Sequence, residues 1–247
     1  IGFVTGGDPS IEKSEEFVLN MIEAGADLVE IGIPFSDPIA EGPVIQAANV
    51  RALNAGANLE KLFALAGRLR KRTETPLVFL TYFNPVFRYG ADNFFRRCAE
   101  AGVDGVIIPD LPFEESDEAR GPAAESGVDL ISLVAPTSGD RIAQIARNAS
   151  GFLYIVSSMG VTGARTTIET DLKTITCAAR AHTGIPLAVG FGVTTPEQAA
   201  DIARIADGVI VGSAIVRIVE RYGGEAGRPI FDYVMSMKQA ILNPPAL

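Results

Sequence analysis

"AGADLVEIGI", Ala24–Ile33, decides the architecture. A glycine or other small residue where a helix ends, an aspartate able to turn the chain and a short apolar run follow one another directly. The same succession returns in "AGVDGVIIPD" (Ala101–Asp110), "SGVDLISLVAP" (Ser126–Pro136) and "IADGVIVGSA" (Ile205–Ala214). These runs are apolar on both faces and rich in Val and Ile, as parallel strands buried on both sides are. "IGFVT" (Ile1–Thr5), "PLVFLTY" (Pro76–Tyr82), "GFLYIVSS" (Gly151–Ser158) and "IPLAVGFG" (Ile185–Gly192) complete a set of eight. Helical spacing fills the gaps, and Gly25, Gly102 and Gly127 stand where helices should stop. "TTPEQ" carries Thr195 as N-cap, Pro196 at the first helical position and Gln198 to close a capping box. Eight strand–helix units of about thirty residues predict a (β/α)8 TIM barrel. An open doubly wound sheet would want a GxGxxG turn after its first strand, and none is present.

No linker or low-complexity stretch divides the chain, so residues 1–247 are expected to form one domain. Within it, 223–247 reads as a helical segment packed on the barrel exterior. The chain opens on Ile1 inside an apolar run, which predicts that the natural N-terminus lies further upstream. With 47% apolar and 21% charged residues, the composition is that of a soluble globular protein. A net charge of -9 argues against a nucleic-acid partner. No apolar stretch is long enough to span a membrane, and a cytoplasmic protein is expected. Cys98 and Cys177 have no metal or redox spacing and read as reduced thiols serving as small hydrophobes. The single histidine, His182, reads as a helix-end cation and leaves no metal site.

Against this background Glu30 stands out. In "LVEIGI" the β-branched Val29, Ile31 and Ile33 share one face, suited to the helix layer. Glu30 falls with Leu28 and Gly32 on the other face, pointing into the barrel. A buried carboxylate without a partner is costly, and barrel active sites lie at the carboxyl ends of the strands. The following loop, "PFSDPIAEGP", is stiffened by Pro34, Pro38 and Pro43 and carries Glu41 over the same mouth. Two acids at one pocket point to general acid–base work. Asp37, between Ser36 and Pro38, reads as a loop hydrogen-bonding residue.

A second site is predicted after the seventh and eighth strands. "GFGVTTPEQ" and "GSAIV" place Gly190, Gly192 and Gly212 where backbone can approach a ligand, and Ser213 starts a helix. That is the common phosphate site of these barrels. With no Lys or Arg beside these glycines, backbone amides are expected to carry the binding. "SSMGVTGARTT" reads as a lid flexing at Gly160 and Gly163.

The motifs "FVTGGDPS", "EIGIPFSDPIAEGPVIQAA", "YFNPVFRYG", "IIPDLPFEES", "SSMGVTGAR", "VGFGVTTPEQ" and "VGSAIV" resemble one family throughout. It is the α subunit of tryptophan synthase, and the resemblance covers nearly the whole chain. It implies a lyase that cleaves indole-3-glycerol phosphate to indole and glyceraldehyde 3-phosphate in tryptophan biosynthesis. It also implies an α2β2 assembly with a β subunit that alone carries pyridoxal phosphate, and no cofactor in this chain. By that resemblance Glu30 is the acid–base residue, and Glu41 occupies the place of a second catalytic carboxylate that is usually aspartate. Tyr154 stands near the catalytic glutamate, and Thr162 is a lid residue meeting the second carboxylate. Gly163, Gly190, Phe191, Gly192, Gly212 and Ser213 match phosphate-binding positions. Phe3, Leu80, Tyr82, Ile107, Pro109 and Leu133 match the indole pocket. Asp37, Asn84 and Asp110 match the face toward the β subunit. The family's chain normally begins with a short helix ahead of the first strand, so the barrel bottom is expected to be incompletely covered.

Two alternatives remain at this point. One is another phosphosugar barrel enzyme, against which stand the lack of histidine ligands and of a lysine on any strand. The other is a non-catalytic or weakly catalytic barrel that activates a β subunit, a reading to which the extra methylene of Glu41 lends support.

Overall fold

The computed structural model describes residues 1–157, 165–190 and 192–243. Strands β1 (Gly2–Thr5), β2 (Val29–Gly32), β3 (Leu77–Leu80) and β4 (Gly105–Ile107) are followed by β5 (Asp129–Val134), β6 (Leu153–Val156), β7 (Leu187–Gly190) and β8 (Gly208–Val209). They pair in parallel in chain order. Gly2 bridges Val211, and the Phe3 N–H donates to the Val211 carbonyl at 2.9 Å, so the sheet closes on itself. The barrel expected from the recurring strand runs is the observed fold.

Around it lie α1 (Ile11–Glu23), α2 (Pro43–Asn54), α3 (Leu59–Arg70), α4 (Phe83–Tyr89), α5 (Ala91–Ala101) and α6 (Asp117–Ser126). The ring continues with α7 (Ile142–Asn148), α8 (Arg165–Arg180), α9 (Pro196–Ile202), α10 (Ser213–Tyr222) and α11 (Gly227–Leu242). The units after β2, β3 and β8 therefore carry two helices each. The C-terminal helix α11 is no appendage. It packs against both α1 and α9 and buries Ile230, Val234 and Met237, filling the last place in the ring.

Local chemistry sets these boundaries. Gly102 and Gly127 end α5 and α6 in the left-handed conformation, at φ 75° and 68°. Thr195 and Gln198 form the capping box of α9. One aspartate device appears twice. Asp104, ahead of β4, accepts the Leu77 N–H at 2.8 Å and pairs with Arg70 at the end of α3. Asp207, ahead of β8, accepts the Leu187 N–H at 2.8 Å and pairs with Arg180 at the end of α8. Each turn aspartate thus anchors the start of the preceding strand.

Strand alternation then sorts the side chains. Val29, Ile31 and Ile33 join the layer between sheet and helices, with Phe17, Leu62 and Phe79. At roughly 1.5–3 kcal/mol for each large apolar side chain buried, that layer holds the fold together. The barrel interior is a smaller cluster built on Val78, Ile107, Ile131, Tyr154 and Ile210. Because the outer layer carries most of the stability, the interior can host a group that is costly to bury. One minor expectation changes. Cys177 is exposed on α8, whereas Cys98 is buried. His182 Nδ1 lies 3.2 Å from the Arg147 guanidinium, just past the end of α8.

Candidate active site

A cavity of about 870 Å³ opens at the carboxyl ends of the strands. Phe3, Leu80, Ile107, Pro109 and Leu133 line it, so five of the six expected indole-pocket residues share one space. Glu30 reaches the same cavity from β2, where it lies in register with Phe3 on β1 and Val78 on β3. It is only 1% exposed, and its Oε1 has no hydrogen-bond partner among the described residues. Burial pushes its carboxyl up to about 8. Near neutrality this group is mostly a carboxylic acid, able to give a proton and then take one. Tyr154 stands close enough that the Glu30 charge, after burial, helps raise its phenol well above the ordinary value. It stays a neutral hydroxyl beside the acid.

Gly190 has a packing role that its position alone does not reveal. A Cβ built there would lie 2.3 Å from the Tyr154 hydroxyl oxygen and 2.7 Å from the ring carbon that bears it. The missing side chain makes room for Tyr154, and Gly190 does not line the cavity among the described residues.

Tyr82 also departs from expectation. Leu80 ends β3 and the chain turns at once into α4, so strand alternation no longer governs residue 82. Tyr82 is buried beneath the loop after β2, and its hydroxyl accepts the Ala40 N–H at 3.0 Å. Its ring packs on Phe35, centroids 5.3 Å apart. Tyr82 supports the Glu41 loop and does not wall the pocket. At the start of α4, Asp110 accepts the Phe83 N–H at 2.9 Å. The loops after β2, β3 and β4 are thereby tied together.

Glu41 lines the cavity from the first of these loops. Its carbonyl accepts from Gln46 Nε2 at 2.8 Å, and its Oε2 from Asn49 Nδ2 at 2.6 Å. Burial raises its carboxyl above the usual range, and the Asn49 donor works against that rise. Sequence reasoning missed Asn49. The signal was available in an amide two turns into a helix that starts directly after the acid.

At the opposite side of the mouth, Gly192, Gly212 and Ser213 line the cavity. Gly192 has φ +79°, which only glycine adopts without strain. Gly212 is the N-cap of α10 and has no side chain to cap it, and a helix N-terminus leaves its first amides without intrahelical partners. The expectation that no cation stands here needs correction. Arg217 lines the same cavity, one helical turn beyond Ser213 on α10. The i, i+4 spacing from Ser213 was the overlooked sign.

Asp37 and Asn84 are exposed at the rim and Asp110 is partly exposed. Asp37 accepts from the Ser36 hydroxyl at 2.5 Å. Around them are the two most exposed large apolar side chains of the described residues, Ile39 at 80% and Phe87 at 66%. Thr162, Gly163 and Phe191, and Gly160 of the expected lid, lie outside the described residues. Among those described, no group of acidic, histidine or cysteine side chains could hold a metal ion, and no helix could cross a membrane.

The profile of the tryptophan synthase alpha chain matches residues 1–239. The chain belongs to the tryptophan synthase alpha chain family. It is 48% identical to the alpha chain of Citrifermentans bemidjiense over 98% of this chain and 91% of that one. Against the alpha chain of Lacticaseibacillus casei the identity is 47%, with the same coverage. The crystal structure of the Legionella pneumophila alpha subunit superposes with a TM-score of 0.89 at 39% identity, covering 98% of this chain and 92% of that one. A chain of the tryptophan synthase complex of Pyrococcus furiosus gives 0.87 at 35% identity, covering 96% of each chain. For that organism a mutually activating α2β2 complex has been described.

Proposed function

We propose that this chain is a lyase that cleaves indole-3-glycerol phosphate to indole and glyceraldehyde 3-phosphate, working as the α subunit of an α2β2 tryptophan synthase. Family membership supports the reaction class. The observation that carries the chemistry is Glu30, a buried acid in a mostly apolar cavity, with one oxygen that has no hydrogen-bond partner among the described residues.

Retro-aldol cleavage needs a proton on the indole carbon that bears the glycerol phosphate chain. Glu30, protonated near neutrality, supplies it. The ring nitrogen becomes positive, and the Glu41 carboxylate balances that charge. Glu30, now ionised, takes the proton of the adjacent side-chain hydroxyl. The carbon–carbon bond breaks, its electron pair returns to the ring, and indole and aldehyde separate. Glu30 ends as it began, and neither metal nor organic cofactor enters the proton balance.

Gly192, Gly212 and Ser213 hold the phosphate at the N-terminus of α10, with Arg217 adding charge. Gly163 and Phe191 complete that set, and Thr162 is the lid residue toward Glu41. The β subunit, with its pyridoxal phosphate, docks on the rim formed by Asp37, Asn84 and Asp110, with Ile39 and Phe87 as apolar contacts. The protein works in the cytoplasm. Indole release from indole-3-glycerol phosphate, measured with and without β subunit, tests the reading. Stoichiometric indole and glyceraldehyde 3-phosphate are expected. No cleavage, with β-subunit activation intact, would leave an activator in its place.

A further inference from the structure

Asn49 is buried to 3% exposure on the inner side of α2, next to Ala48 and Ala52. A buried amide is disfavoured unless hydrogen-bonded, and its Nδ2 donates to Glu41 Oε2 at 2.6 Å. The backbone around Glu41 has little freedom of its own. Gln46 Nε2 holds the Glu41 carbonyl, Tyr82 holds the Ala40 N–H, and Pro43 starts α2 two residues later. A glutamate in place of aspartate therefore cannot be accommodated by withdrawing the loop. Its extra methylene has to be taken up by the direction of the side chain.

We infer that Asn49 is the positioning residue for Glu41, drawing the longer side chain toward α2 so that its carboxylate serves the cavity as a shorter acid would. The inference rests on the proposed catalytic role of Glu41. The bond also favours the ionised form of Glu41, against the burial that opposes it. The other titratable groups facing this corner are Tyr82, whose phenol feels the Glu41 charge, Asp110, which acts on the same phenol, and Glu30 in the shared cavity.

The test compares indole release, with β subunit present, in Asn49→Leu, Asn49→Gln, Glu41→Asp and the double variant Glu41→Asp/Asn49→Gln. In Asn49→Leu, kcat should fall roughly 10- to 100-fold, the scale of a hydrogen bond to a charged group, with KM nearly unchanged. The acid limb of its pH profile should move to higher pH, because Glu41 has lost the donor that favours its charge. Each conservative single variant should also lose activity. Moving the methylene from one partner to the other restores the span, so the double variant should regain most of it. If Asn49→Leu fails to fold, the exchange alone decides. Unchanged kcat and acid limb in Asn49→Leu, or a double variant no better than the product of its singles, overturns the inference. Glu41→Gln separates the two readings. Full activity there removes the catalytic role of Glu41 itself, while an inactive Glu41→Gln beside neutral Asn49 variants removes only the positioning.

Discussion

Across the mouth of the barrel, the loops after β2, β3 and β4 meet through side chains, whereas those after β7 and β8 present mainly backbone. On the first side Tyr82 holds Ala40, Asp110 holds Phe83 and Asn49 holds Glu41, each at 3.0 Å or less. On the second, Gly192 and Gly212 bring backbone to the cavity, and the N-cap of α10 has no side chain of its own. Under the proposed function the difference follows from what each side has to handle. Proton transfer needs carboxyl groups at defined positions with shifted acidity, and only packed, bonded side chains provide that. A phosphate needs several amide donors and close approach, which backbone at a helix N-terminus supplies without any titratable group. Substitutions on the two sides should therefore fail in different ways.

The largest effect is expected on the side-chain side. Glu30→Gln should lower kcat roughly 10²–10⁴-fold while leaving affinity for a phosphorylated substrate analogue intact. The same variant should be more stable at neutral to alkaline pH. The folded-state value of about 8 lies above the ordinary carboxyl value of 4.5, so the native protein keeps a proton that the unfolded chain releases. Stability is fully present below pH 4.5 and declines as pH rises through 8. Glutamine abolishes that decline, with a gain on the order of 3 kcal/mol at pH 7. Urea melts at pH 5 and pH 8 would show it, and a parallel pH dependence in both proteins would contradict it.

Two glycines sharpen the contrast next. Gly190→Ala should destabilise by roughly 1–3 kcal/mol and depress turnover, because its Cβ meets the Tyr154 hydroxyl at 2.3 Å inside a filled barrel. At Gly212 a Cβ would stand 3.6 Å from Phe3, an ordinary contact. Gly212→Val should therefore fold normally and weaken glycerol phosphate binding about tenfold, near 1.4 kcal/mol, with free indole unaffected. Calorimetry giving equal losses for both ligands would place Gly212 outside the phosphate site. The smallest effect is assigned to Arg217, an exposed cation. Arg217→Gln should raise KM by a few-fold at low salt, and the difference should shrink as ionic strength rises. A KM ratio independent of salt would remove Arg217 from the electrostatics of the site.

How far the site could be read in the sequence depended on whether a local rule still held at each residue. Glu30 was legible because strand alternation is strict within β2, and one face of that strand is claimed by Val29, Ile31 and Ile33. That rule does not reach Tyr82, because β3 ends at Leu80 and α4 begins at Phe83, and only the family resemblance had assigned it to the pocket. Gly190 shows another limit. A glycine announces that space is needed, but not whether a ligand or the neighbouring Tyr154 takes it. Arg217 and Asn49 were hidden inside helices, where only the facing loop gives a polar residue its meaning.

By itself the sequence determined the eight parallel strands, the helix stops at Gly102 and Gly127, the capping box of α9 and the inward carboxyl of Glu30. All of these follow from interactions within a few residues or from simple alternation, and local physics settles them. Only the tertiary structure decided that Tyr82 supports the loop, that Tyr154 fills the space at Gly190, that α11 closes the ring between α1 and α9, and that Asn49 bonds Glu41. Each of these joins elements that meet only once the barrel has closed. The partner that satisfies a buried polar group, or the side chain that fills a void, is set by that closure and by no spacing along the chain.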